Sequence, residues 1–273
     1  MTETPERFDI PSTLAESTLS GGRADELSEA YDHPVHRILP DAKIIKVGGQ
    51  SIMDRGRAAL FPLIEEIAEC SKKYDIMLGA GGGTRARHAY ALGIDLGVPT
   101  GVMARIGGAV PRQNARMLQM LLAKHGGIYI MHDDFEKLPL YFKLGCIPVL
   151  TGMPPNDYWE KPTAGTTIPA NRTDAGVYLS AEALGCETAF FIKDEKGLYT
   201  NDPKKDKNAK FIPKISAQEL IEKDLDDVII ERVVLEYLMR AESCKQVHIF
   251  NGLEKGNLTR ALAGEHVGTI IHA

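Results

Sequence analysis

The sequence predicts an α/β fold with a mostly parallel central sheet and helices on both faces. Three features predict it. Strand-like runs alternate with helical patterns from Asp41 onward. A β-branched run, Ile44, Ile45 and Val47, ends on the pair Gly48-Gly49, and a helical pattern follows. A second glycine cluster, "GAGGGTRARH", stands in the same strand-to-helix position after residues 76–80.

The first 38 residues differ from the rest. They are rich in Ser, Thr, Glu, Gly and Pro and show little periodicity, which suits a disordered tail or an arm that orders against a partner subunit. Residues 39–273 are expected to form the folded domain. Strands are expected at 43–47, 76–80, 128–131, 147–151, 188–192 and 246–250. Helices are expected at 57–72, where Leu60, Ile64 and Ile67 share a face, and at 84–96, 111–125, 174–185 and 231–243. The stretch 152–171 carries four prolines and the only tryptophan, and a loop of that length is usually functional or flexible. Residues 201–210, "NDPKKDKNAK", read as a hydrophilic loop.

Composition narrows the classes of function. The net charge of −5 gives no general attraction for nucleic acid or an anionic membrane. No apolar run approaches the 18 residues or so of a membrane span, and the polar N-terminus lacks the apolar core of a secretory signal. Cys70, Cys146, Cys186 and Cys244 are far apart and form no CxxC pair, as expected of small buried hydrophobes in a reduced cytoplasmic protein.

The glycine turns suggest anion binding. In open parallel sheets ligands bind beyond the carboxyl ends of the strands. Glycines let backbone N–H groups approach an oxyanion, and the following helix start adds its dipole. Gly48-Gly49 and Gly79, Gly81, Gly82 and Gly83 are placed to hold the two ends of a phosphate chain. Lys46, one pleat before the first turn, can lay its ammonium beside phosphate oxygens. Arg85 and His88, three apart on one helix face, can grip a second oxyanion. Asp174, in "NRTDAGVYLS", stands at a helix start. It can cap that helix, hold Mg²⁺ or orient a lysine. Tyr199 and Asn201 follow a strand and suit a flat purine base. There is neither a GxxxxGK[ST] motif nor a GxGxxG with an acid at Rossmann spacing.

In order, "KVGG", "GAGGGTRARH", "RTDAG", "KGLYTNDP" and "GEHVGTII" resemble segments of the amino acid kinase superfamily, and of its UMP kinases in particular. The resemblance covers about residues 41–273. It implies a three-layer α/β/α sandwich, an ATP site with Mg²⁺ and a hexamer. By position it implies Lys46 and Asp174 as catalytic residues. The nucleotide would be held by Lys46, Gly48, Gly49, Gln50, Gly81, Gly82, Gly83 and Arg85. Lys193, Asp194, Gly197, Tyr199, Asn201 and Pro203 would hold it from the other side.

Longer phrases, such as "ILPDAKIIKVGGQSIMDRGRAALFPL", "GMPPNDYW" and "NGLEKGNLTRALAGEHVGTII", are similar to the molybdenum-storage branch of that superfamily. That branch builds a cage of paired subunits, uses ATP to load molybdate or tungstate and stores it as polyoxometalate clusters. The resemblance implies a cytoplasmic homo- or hetero-hexamer. Two departures bear on it. Where UMP kinases carry Lys-x-Asp-Gly, this chain reads Asp194-Glu195-Lys196-Gly197, which makes phosphotransfer to a nucleotide doubtful. The triple-histidine run of the storage branch's other subunit is replaced by Asn156-Asp157-Tyr158-Trp159, so cluster ligands would come from a histidine-bearing partner chain or from elsewhere in this one, with His132, Asp133, Asp134, Glu136 and His125 as contributors; His132, Glu136 and Asp174 make up the expected metal-binding set, Asp174 through Mg²⁺. A UMP kinase, or a related kinase of a small acid or phosphate, is the alternative.

Overall fold

Strand β1, Lys43–Val47, is the hinge of the topology. The computed structural model describes residues 34–226 and 228–273, and the arm expected at the N-terminus lies outside them as far as residue 33. Residues Arg37–Ala273 form one compact unit. After β1 the chain builds β2 (Ile76–Ala80), β3 (Gly127–Tyr129) and β4 (Ile147–Thr151) on one side, in the order β3-β4-β2-β1. It then returns to β1's other edge with β5 (Thr188–Lys193). β9 (Gln246–Asn251), β10 (Thr269–His272) and β8 (Lys214–Ser216) complete eight strands. Every neighbouring pair is parallel except β9 with β10. A separate two-stranded ribbon joins β6 (Leu198–Tyr199) to β7 (Phe211–Ile212). The strand order reverses at β1, so a crevice opens where β1, β2 and β5 end.

Side-chain parity assigns the two faces. Ile44 and Phe191 point to one core, shared with α5 (Thr173–Leu184) and α7 (Arg232–Met239). Ile45, Val47, Phe190 and Ile192 point to the other, shared with α1 (Arg57–Cys70), α3 (Thr100–Leu122) and α8 (Asn257–Leu262). Each fully buried Leu or Ile in these cores contributes about 1.5–3 kcal/mol over leaving it exposed. The sandwich is therefore three-layered, as the resemblance implied. Lys46 and Lys193 share the parity of Ile44 and Phe191, so both ammonium groups emerge on the α5 side of the sheet.

The six strands expected are present, with ends moved by at most two residues. Helix α3 differs most. It begins at Thr100 and runs unbroken through Pro111, where the sequence suggested a start. Gly101 and Gly107, within the part of α3 that lay outside the expected span, are contact points. A Cβ at Gly107 would strike the Tyr90 ring, and one at Gly101 the Tyr158 backbone. The periodicity also left α4 (Leu138–Lys143), α6 (Ala217–Lys223) and α8 unassigned, each seven residues or fewer. The remaining helix, α2, is Gly83–Asp95. Cys70, Cys186 and Cys244 are buried and Cys146 is half-buried, all as free thiols.

Candidate functional site

The crevice beyond β1, β2 and β5 is a cavity of about 800 Å³. Its floor is made by the two glycine turns, which touch. Gly81 N–H donates to Val47 O at 2.9 Å, and Gly48 N–H to Ile192 O at 3.1 Å. A Cβ on Gly49 would lie 2.7 Å from Gly83 Cα and 2.8 Å from Gly81 C, so no other residue fits there. Asn114, fully buried on α3, donates to Gly81 O at 2.6 Å and Gly82 O at 3.1 Å and fixes the second turn. The sequence held a faint signal for it: an amide on the apolar stripe Val110, Asn114, Leu118, Leu122.

Lys46 lies beneath the first turn, 4% exposed, and donates to Asp174 Oδ1. Lys193 Nζ reaches the same oxygen at 3.4 Å. Asp174 is therefore an orienter of lysines rather than the cap of α5. Glu231, from a segment 57 residues away, makes that cap. Its carboxylate accepts from the backbone N–H groups of Arg172, Asp174 and Ala175, each at 3.0 Å. Its own N–H donates to Asp174 Oδ2 at 3.0 Å, so the two carboxylates lock each other. No local pattern marks Glu231, because its bonds cross the chain. Burial alone would raise the Asp174 carboxyl, but the ammonium groups of Lys193 and Lys46 and the Glu231 N–H outweigh it and hold it at about 2. Burial and the charge of Asp174 raise the Glu231 carboxyl. Burial lowers the Lys193 ammonium against the opposing pull of Asp174.

At the rim, Arg55 Nη2 donates to Asp194 Oδ2 at 2.5 Å, and Lys204 Nζ pairs with Glu195 at 2.7 Å. Arg55 and Lys204 hold the Asp194 carboxyl below its usual range although burial opposes them. Tyr199 packs edge-on against Phe211, and Val228, Ile229 and Ile230 complete an apolar side wall.

The structure gathers most of the residues singled out in the sequence. Lys46, Gly48, Gly49, Gln50 and Gly81–Gly83 line the cleft, and so do Asp174, Lys193, Asp194, Gly197, Tyr199, Asn201 and Pro203. Arg85 and His88 do not. Arg85 turns away to Gln113 Oε1 at 3.0 Å and to Asn114 Oδ1, because its place on α2 faces α3. Arg87 lines the cleft instead. The metal set also separates. His132 and Glu136 sit on the 3-10 turn His132–Lys137 and do not line the cleft, while Asp174 is taken up by two lysines. Among the described residues no three His, Cys, Asp or Glu side chains come together to hold a metal. No described helix is long and apolar enough to cross a membrane.

The chain belongs to the amino acid kinase family, whose profile matches residues 41–251. Within that family it stands with the molybdenum storage proteins. It is 51% identical over 237 residues to molybdenum storage protein subunit beta of Azotobacter vinelandii, covering 87% of this chain and 88% of that one. A uridylate kinase of Methanobrevibacter smithii is 28% identical over 232 residues, covering 83% of this chain and 96% of the kinase. The crystal structure of uridylate kinase from Archaeoglobus fulgidus superposes with a TM-score of 0.62 at 24% identity, over 84% of this chain and 99% of that one, a likeness of fold.

Proposed function

We propose that this chain is a subunit of an assembly that stores molybdate or tungstate, and that its cleft binds ATP to drive the loading. The observation that carries this reading is the 51% identity to a molybdenum storage subunit along nearly the whole of both chains. The cleft supports its nucleotide part. Two touching glycine turns bring their backbone close together over a buried lysine, an arrangement suited to a polyphosphate. In this reading Lys46 and Lys193 face the triphosphate, Asp174 holds their ammonium groups in place, and Tyr199 and Asn201 flank the base. Gly48, Gly49 and Gly81 bring their backbone close to the phosphates. Mg²⁺ would come with the triphosphate, since such ions are commonly held by substrate phosphates with few protein ligands, and would neutralise part of its charge.

Molybdate is a tetrahedral dianion that condenses as its concentration and acidity rise. A closed cavity between subunits favours that condensation, and a hexamer with a histidine-bearing homologue supplies ligands this chain lacks. The test is elemental analysis of purified protein given molybdate with and without MgATP. MgATP-dependent metal is expected, whereas equal, near-zero metal in both removes the proposal. Phosphotransfer to UMP is the second reading, favoured by the uridylate kinase relatives. It predicts rapid turnover of UMP with ATP that Lys46→Ala abolishes.

A further inference from the structure

The end of β5 carries the acidic pair Asp194-Glu195, singled out in the sequence as a departure, and the structure gives it partners. Asp194 Oδ2 is shared. Arg55 Nη2 donates to it at 2.5 Å from the segment after the first glycine turn, and Lys204 Nζ at 3.3 Å from the hydrophilic loop. Lys204 Nζ also meets Glu195 Oε1 at 2.7 Å. Arg55 is fixed in turn, its Nε donating to Ser51 O at 2.8 Å. All four charged residues line the cleft.

The loop that Lys204 belongs to is otherwise self-contained. Thr200 N–H donates to Lys210 O at 2.9 Å, and Lys210 N–H donates back to Thr200 Oγ1 at 3.0 Å. Asn201 Nδ2 donates to Asp206 Oδ2 at 2.8 Å, and the N–H groups of Lys205 and Asp206 both donate to Asp202 O. Among the described residues, the hydrogen bonds and ion pairs of residues 200–210 stay within the loop, except those of the Lys204 ammonium. The base of the loop is anchored separately. Buried Thr269 accepts from Leu198 N–H at 2.8 Å and donates to Ile212 O at 2.6 Å, one bond to each strand of the ribbon. A braced loop on a fixed base is thus tied to the end of β5 through one ammonium. Asn201, Asp202 and Pro203 bring that loop to the cleft wall.

We propose that Lys204 is a positioning residue: seated between Asp194 and Glu195, its ammonium moors residues 200–210 so that Asn201 and Pro203 close the nucleoside end of the cleft. This rests on the nucleotide reading of the cleft. The internal bonds of the loop make it move as a unit, so a single tether sets where its cleft-facing residues stand. The Lys204 side chain is 59% exposed, and an ion pair that open contributes little to global stability. Its loss should therefore show in ligand binding and not in the melt.

The test is calorimetric titration of adenosine, inorganic tripolyphosphate and ATP into wild type, Lys204→Ala, Lys204→Arg and the double variant Asp194→Asn/Glu195→Gln, with a thermal melt of each. Adenosine is uncharged, so it reads the placement of the loop and not the charge of the cleft. Lys204→Ala and the double variant should each bind adenosine about fivefold more weakly, the upper worth of an exposed ion pair, with melting temperatures unchanged. Lys204→Arg should restore wild-type affinity, and adding Lys204→Ala to the double variant should cost nothing more. If Lys204→Ala weakens tripolyphosphate and spares adenosine, Lys204 contacts phosphate directly and the inference is overturned. Equal adenosine affinity in all the proteins overturns it too. A wild type that binds neither ATP nor adenosine removes the nucleotide reading instead. The mooring is then read without ligand, by trypsin cleavage after Lys205 and Lys207: faster cleavage in the double variant is expected, and an equal rate contradicts the mooring.

Discussion

Asp174 shows why single side chains in this cleft are expected to be unforgiving. It is 4% exposed, shares one oxygen between Lys46 and Lys193, and gives the other to the Glu231 N–H. Removing one member of such a buried set leaves a charge without its partner, which costs about 3–5 kcal/mol. Asp174→Asn should lower the unfolding free energy by about that much, read from denaturant melts. The pH dependence has a definite sign. The folded carboxyl titrates at about 2, below its ordinary 3.8, so its contribution is complete above about pH 4 and is lost as pH falls toward 2. Wild type should therefore lose stability over that window, and Asp174→Asn should lose less there. The sequence left three roles open for Asp174, and the geometry decides between two of them. The capping role belongs to Glu231, whose partners lie 56 to 59 positions away and leave no trace in local spacing.

At the scale of elements, strands were the most legible part. β-branched and aromatic runs bounded by glycine have one reading in this setting, and the registers of β1, β2 and β5 bring their ends together as that reading requires. Helix α3 was misread by eleven residues, because Gly101, Gly107 and Pro111 lower local helix propensity while tertiary contacts with Tyr90 and Tyr158 restore the helix. The short helices escaped for want of length. Arg85 was legible as a basic residue beside a glycine turn, but not as one directed toward Asn114. The glycine turns themselves carry a prediction. Gly49→Ala should push apart backbones that already touch, at a cost of about 1–3 kcal/mol. It should also weaken ATP binding at least tenfold, read by thermal melts and titration. An unchanged melt would mean that the turns are not packed as described.

For the whole molecule, composition set the outer limits and little more. A net charge of −5 argued against a polyanion-binding surface, and the basic groups of the cleft accordingly stand among carboxylates: Lys46 and Lys193 beside Asp174, Arg55 beside Asp194 and Lys204 beside Glu195. Assembly is a proposal that rests on resemblance alone, because a subunit interface has no signature in one chain. The proposed hexamer is tested by light scattering, where the mass of six chains is expected and a monomer would contradict the proposal. The claim on which the rest depends is smaller in scale and can be measured directly: two adjoining glycine turns and the ammonium of Lys46 clasp a triphosphate. Equilibrium titration of ATP and of adenosine into wild type and Lys46→Met tests it. The account predicts that Lys46→Met loses ATP affinity at least tenfold while adenosine binding stays within threefold of wild type. Equal ATP affinity in the two proteins, or no ATP binding by wild type, would contradict it.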